Sequence, residues 1–199
     1  MRQIAVFASG SGTNFQSLVE QSGKSYQVVL LVCDCHDAFV VTRARKLGIP
    51  SFVFDPRTYQ TKSVYEINIL KQLQVFNVTF IALAGYMRLI GPILLEAYPD
   101  QIINIHPSLL PSFIGKDAIG QAMSYGVKVT GVTVHYIDCE MDRGTIIAQD
   151  VISINERMTR EELTQKIQAI ERELYPKVLR QILTKGRNND ETRIDQCIG

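Results

Sequence analysis

Nowhere in the 199 residues do about 18 apolar positions run together, so the sequence offers no helix able to cross a membrane. The apolar stretch after Arg2, QIAVFASG, is too short for the core of a secretory signal, and the expected location is the cytoplasm. Neither sign of charge dominates: 21 Lys and Arg face 20 Asp and Glu, a formal net charge of +1. The basic residues are scattered, which argues against nucleic acid as the main partner. Cysteine is sparse. In a cytosolic chain, Cys33, Cys35, Cys139 and Cys197 read as reduced thiols, not as a disulfide frame. The run Cys33-Asp34-Cys35-His36 lacks the spacing of a zinc site, and no His-Glu-x-x-His occurs, so no metal is expected. A nucleophile elbow is missing as well, because Ser9 stands where the glycine before Ser11 would be needed. Repeats, linkers and low-complexity segments are absent. A composition of 46% hydrophobic and 21% charged residues then leaves one ordinary globular domain.

What is present is alternation. QIAVFA (3–8), VVLLVC (28–33), SFVF (51–54) and TFIALA (79–84) are nearly continuous apolar runs, as strands covered on both faces must be. Helical patterns lie between them near 14–21, 38–47 and 62–76, the second closed by Gly48 and Pro50. Strand and helix in turn predict a single-domain, mostly parallel, doubly wound α/β sheet. After QIINI the character changes. A proline-punctuated loop and a helix near 116–125 lead into VTGVTVHYID, where Val132, Val134 and Tyr136 alternate with Thr133, His135 and Ile137. This predicts an added antiparallel strand, with TIIAQDVISI as its partner. Thr159 and Glu162 form a capping box, and Leu163, Ile167, Ile170, Leu174, Val178 and Ile182 follow at helical spacing, predicting a long C-terminal helix. The domain is expected to span 1–185, with a polar, frayed tail over 186–199.

Three stretches could carry chemistry. ASGSGTNF leads from the first strand into the first helix. Its glycines permit a tight turn that aims backbone N–H groups at an anion, with Thr13 and Asn14 at the positive end of a helix dipole. Phe15 occupies the place of the dinucleotide fingerprint's third glycine, and Gly-Lys-Ser/Thr is absent, so a phosphomonoester fits better than NAD or ATP. A plain tight turn is the competing reading. In NIHPSLLP, Asn104 and His106 share one face of a strand that Pro107 terminates, at the edge where open α/β sheets bind ligands. An amide can donate to a developing oxyanion and an imidazole can exchange a proton near neutrality, so the pair suggests acyl transfer, with two polar groups merely satisfying a strand end as the competing reading. In DCEMDRGTII, any of Asp138, Glu140 and Asp142 could bring a carboxylate beside His106, although an acidic hairpin loop is usually solvated surface. His36 reads as a surface or strand-end residue, and His135 as supporting structure.

Together SGSGTN, LAGYMRLI, NIHPSLLPSF, GVTVHYIDCEMDRG and ELYP resemble the phosphoribosylglycinamide formyltransferase family, the folate-dependent enzymes of purine synthesis, over roughly residues 2–183. The resemblance implies the formyltransferase fold and transfer of a formyl group from 10-formyltetrahydrofolate to the primary amine of glycinamide ribonucleotide. It implies small-molecule partners only, and a monomer or homodimer. Asn104, His106 and Asp142 match the family's catalytic trio, supported by His135. Gly12, Thr13 and Asn14 match positions that bind the substrate phosphate, and Gln168 and Glu171 positions that reach the ribonucleotide. Met87, Arg88 and Leu89, with Asp138, Cys139, Glu140 and Met141, fall where the family holds the pterin, and Lys62 where some members carry an Arg for the folate tail. The sequence departs from the pattern at Lys62, at Ile114 and Thr145, where Pro is common, at Cys139, often acidic, and at Arg172, often His. Methionyl-tRNA formyltransferases and formyltetrahydrofolate hydrolases would be expected to carry further domains. A hydrolase or another amine formyltransferase is the nearer alternative, and a non-catalytic nucleotide-binding module, with Asp34 as a ribose-binding acid, the more distant one.

Overall fold

The computed structural model describes the backbone of residues 1–23 and 25–194, and side chains as far as residue 184. Five parallel strands, β1 (Arg2–Phe7), β2 (Tyr26–Cys33), β3 (Ser51–Val53), β4 (Phe80–Leu83) and β5 (Ile102–His106), lie in the order β3-β2-β1-β4-β5. Next to β5, β6 (Val129–Tyr136) and then β7 (Ile146–Ser153) extend the sheet through antiparallel pairs, as the alternation in VTGVTVHY predicts.

Burial explains the apolar runs. Along β1, Ile4 and Val6 enter the core on one face, and Ala5 and Phe7 enter the core on the other, all four fully buried. The first face is covered by α1 (Thr13–Glu20), α2 (Phe39–Lys46) and α6 (Arg160–Ile194), through Phe15, Leu18, Val40, Leu163 and Ile167. The second is covered by α3 (Lys62–Val75) and α4 (Pro92–Ala97), through Ile69, Leu73 and Leu94. Helix α5 (Ala118–Tyr125) starts two residues later than the pattern predicts, because Asp117 caps it by accepting from the Gly120 N–H. The reciprocal capping box at the start of α6 forms as expected: Thr159 N–H donates to Glu162 Oε2 at 2.8 Å, and Glu162 N–H to Thr159 Oγ1 at 3.2 Å.

Two features differ from the sequence reading. Helix α4 was not anticipated, since six residues opened by Pro92 are too few to show a helical period. Helix α6 runs past Gly186 to Ile194, beyond the end at 185 that composition suggests, while 195–199 of the expected tail lie outside the described residues. Among the described residues no helix is long and apolar enough to cross a membrane.

Connections leave β1 and β4 toward opposite sides of the sheet, so the loops following these adjacent strands diverge and open a crevice at the carboxyl edge.

Candidate active site

β5, next to β4, carries Asn104 and His106 to the carboxyl edge of the parallel strands. Antiparallel register places Asn104 opposite His135 and His106 opposite Thr133, so all four side chains project from one face. The Asn104 Nδ2 lies 3.3 Å from His135 Nε2. His135 is fully buried and its Nδ1 is 2.8 Å from the Tyr136 carbonyl. A ring nitrogen facing a carbonyl carries the proton, which leaves Nε2 as an acceptor and obliges Asn104 to turn its NH2 inward. Burial pushes the His135 pKa down, against the smaller opposing effects of the Tyr136 carbonyl and Asp142, so the ring is held neutral.

The same logic orients His106. Its Nε2 donates to the Phe113 carbonyl at 2.9 Å, so Nδ1 is the nitrogen turned toward Asp142 Oδ2, 3.5 Å away. The loop bearing Phe113 is pinned by Thr133, whose hydroxyl donates to Ser108 O at 2.7 Å and accepts from Leu110 N–H at 3.0 Å. Gln149 on β7 donates to Leu110 O at 2.9 Å.

Of the three candidate carboxylates, Asp142 is the one that arrives. Its backbone adopts φ 54°, a left-handed conformation that Asp tolerates. Oδ2 accepts from Gly115 N–H at 3.0 Å, and Oδ1 lies 3.5 Å from Asn104 Nδ2 and 3.7 Å from His135 Nε2. The return of the chain needs a residue without a side chain at Gly144, where a Cβ would sit 1.8 Å from the Tyr136 carbonyl oxygen. Asp138 instead accepts from the Glu140 N–H at 2.8 Å, and Glu140 pairs on the surface with Arg143.

The turn after β1 is shaped by where its carbonyls go. Gly10 O accepts from Val40 N–H at 3.0 Å, Ser11 O from Arg43 Nε at 2.8 Å, and Gly12 O from Gln16 N–H at 3.0 Å. The amides in the first turn of α1 have no partner four residues back in the helix, which makes them groups of the kind that meet anions. Gly12 is required, since its φ is 77° and a Cβ would lie 2.5 Å from Val40 Cγ2. Asn14 Nδ2 donates to Glu171 Oε2 at 3.0 Å, while its Oδ1 is buried without a partner among the described residues. Burial pushes the Glu171 carboxyl pKa up, against the Asn14 hydrogen bond and Arg172. Gln168, half-buried, precedes it by one turn of α6.

Beside Asn104, His106 and Asp142 opens a cavity of about 490 Å³. Asn104, His106 and Asp142 line it, as do Met87, Leu89 and Met141, whose side chains are 66, 56 and 47% exposed. Arg88, Asp138, Cys139 and Glu140 also border it. Lys62 does not: it opens α3 and lies 3.7 Å from Glu66 Oε1. Gly12–Asn14, Gln168 and Glu171 are likewise outside the cavity wall. Sequence reasoning missed the Phe113 carbonyl, which carries no side-chain signal, and Tyr175. The latter's buried hydroxyl sits 2.8 Å from Leu83 O and 3.1 Å from Ile103 O, joining β4 to β5 beside Asn104.

An amide donor, an imidazole and a carboxylate converge on one cavity beyond the carboxyl ends of β4 and β5, an arrangement suited to acyl transfer. The chain belongs to the formyl transferase family, which it matches over residues 2–179. It is 51% identical over 192 residues to phosphoribosylglycinamide formyltransferase of Bacillus subtilis, covering 95% of this chain and 97% of that one. Among solved structures, phosphoribosylglycinamide formyltransferase from Bacillus halodurans superposes with a TM-score of 0.89 at 49% identity, covering 93% and 97% of the two chains. Glycinamide ribonucleotide transformylase 1 from Geobacillus kaustophilus does so with 0.89 at 53%, covering 92% and 99%.

Proposed function

We propose that this protein transfers the formyl group of 10-formyltetrahydrofolate to the primary amine of glycinamide ribonucleotide. The convergence of Asn104 and His106 on Asp142, each 3.5 Å from one of its carboxylate oxygens, carries the reading. The phosphate of the acceptor docks on the amides at Gly12–Asn14, and Gln168 and Glu171 hold its ribonucleotide part. The pterin enters the cavity beside Met87, Leu89 and Met141, with Arg88, Asp138, Cys139 and Glu140 at the rim. Lys62 faces the donor's carboxylate tail. Binding at both ends turns encounter into proximity of amine and formyl carbon.

The amine attacks the formyl carbon, and the carbonyl electron pair moves onto oxygen. Asn104 Nδ2–H and the protonated Nδ1 of His106 stabilise that oxyanion, replacing the long contacts they make to Asp142. Asp142 accepts the ammonium proton, directly or through a water. Collapse of the tetrahedral adduct restores the carbonyl and breaks the bond to the folate N10, which leaves with the proton that Asp142 took up, returning Asp142 to its carboxylate form.

The test is to mix the purified protein with 10-formyltetrahydrofolate, with and without glycinamide ribonucleotide, and follow tetrahydrofolate release alongside formylated product. Release that requires the acceptor and matches product supports the transferase. Release without acceptor indicates a hydrolase, and no release indicates a binding module. Against the binding module stands Asp34, whose carboxylate is buried and paired with Arg88 at 2.8 Å instead of open to a ribose.

A further inference from the structure

We propose that Asp34 and Glu66 are positioning residues for the formyl donor, acting through Arg88 and Gly91 to fix the cavity wall formed by residues 86–90. The wall follows β4, contains no regular helix or strand, and presents Met87 and Leu89 largely exposed. A segment of this kind holds its shape only if something behind it does so. Three anchors from three different elements meet it. Ser9, beyond β1, accepts the Met87 N–H on its hydroxyl at 2.9 Å and donates its own N–H to Gly85 O at 3.1 Å. Asp34, beyond β2, accepts from Arg88 Nε at 2.8 Å. Glu66, on α3, accepts the Gly91 N–H at 2.7 Å, at the end of the wall where α4 begins.

Two of these anchors are carboxylates with side chains only 4 and 3% exposed. Burying a carboxylate is unfavourable unless charge and hydrogen bonds compensate it, and apolar residues would fill the same space more cheaply. Their placement is accounted for by what they hold. Each faces the wall, and neither touches the reacting centre. Lys62 completes the Glu66 environment from one turn earlier on α3. Tyr86, which also borders the cavity, packs edge-on against Phe7 with ring centroids 5.3 Å apart, so the wall is pinned by packing as well. Arg88 serves here as a strut whose guanidinium is engaged from behind, and the donor is recognised by the surface the strut supports.

The proposal rests on the cavity being the donor site, and the experiment separates the two claims. Steady-state kinetics with 10-formyltetrahydrofolate and glycinamide ribonucleotide are compared for wild type, Asp34→Asn, Glu66→Gln, Ser9→Ala, Arg88→Met and the double variant Asp34→Asn/Arg88→Met, together with Leu89→Asp on the wall itself. Loss of a charged hydrogen bond predicts a donor KM raised about tenfold, with kcat at saturating donor and the acceptor KM unchanged. The double variant should be no worse than Arg88→Met, because Asp34 acts through that side chain. A joint fall in kcat, acceptor affinity and thermal midpoint would mean a general structural role and overturn the proposal. So would an unchanged donor KM in the Asp34, Glu66 and Ser9 variants while Leu89→Asp raises it. An unchanged donor KM in Leu89→Asp removes the donor from this cavity, and the proposal with it. Should Asp34→Asn fail to fold, Glu66→Gln and Ser9→Ala read the same wall.

Discussion

The two ends of the site are built from different materials. At the Gly12 turn the groups that the proposed function offers to the phosphate are backbone amides, in a turn whose three carbonyls are already bonded to Val40, Arg43 and Gln16. At the cavity, the surface that the proposed function gives to the donor is side chain: Met87, Leu89 and Met141 stand about half exposed or more on irregular loops. A phosphate has the same shape and charge in every substrate that bears it, and fixed dipoles suit it. A flat heterocycle is bound by apolar area, which demands adaptable surface supported from behind. The first end is therefore preorganised by local geometry, and the second by contacts with distant elements.

The largest effect should come where the two ends meet. Asn104→Ala removes an oxyanion donor and should lower kcat by about 10² to 10³, with both KM values and the thermal midpoint near those of wild type. Near-full turnover would remove Asn104 from the chemistry. Gly12→Ala comes next and isolates the backbone end. A methyl at φ 77° collides with Val40, so the turn must shift and its amides lose their common aim. The acceptor KM should rise by about 30-fold, more than 2 kcal/mol by the usual conversion, while the donor KM holds. If both KM values rose together, the two ends would not be independent.

The same contrast explains what the sequence disclosed. The Gly12 turn was legible because glycine, Thr13 and Asn14 sit within a few residues between a strand and a helix. Asn104 and His106 were legible because a period of two and a proline stop place them at one strand end. Spacing alone narrows the carboxylate to three acidic residues and only the family resemblance singles out Asp142, since the choice depends on a left-handed backbone at 142 and on the Gly115 amide, 27 residues away. Asp34 and Glu66 gave no sign of facing residues 88 and 91, because contacts between separate elements leave no local pattern. The parallel strands were plain from their continuous apolar runs, whereas α4 was too short for any period to show.

On the side-chain end a single truncation should do less. Met141→Ala withdraws one partly exposed apolar side chain from the cavity and should raise the donor KM about threefold to tenfold, leaving the acceptor KM unchanged. An effect of 100-fold or more would mean that this end too is rigidly preorganised.

The smallest effect concerns Glu171, which ties α6 to the acceptor end through Asn14. Its folded-state pKa is raised chiefly by burial, so the folded protein binds a proton more tightly than the unfolded chain does. Stability from this source is fully present below the unfolded carboxyl pKa and is lost as pH rises through the folded one. Glu171→Gln keeps a neutral, hydrogen-bonding side chain at every pH. The difference in thermal midpoint, variant minus wild type, should therefore be near zero in acid and grow positive by a few degrees toward neutral pH. A wild-type advantage that grows with pH would show the opposite: that the ionised carboxylate is the form the fold prefers, and that the Asn14 hydrogen bond outweighs the loss of water around the charge.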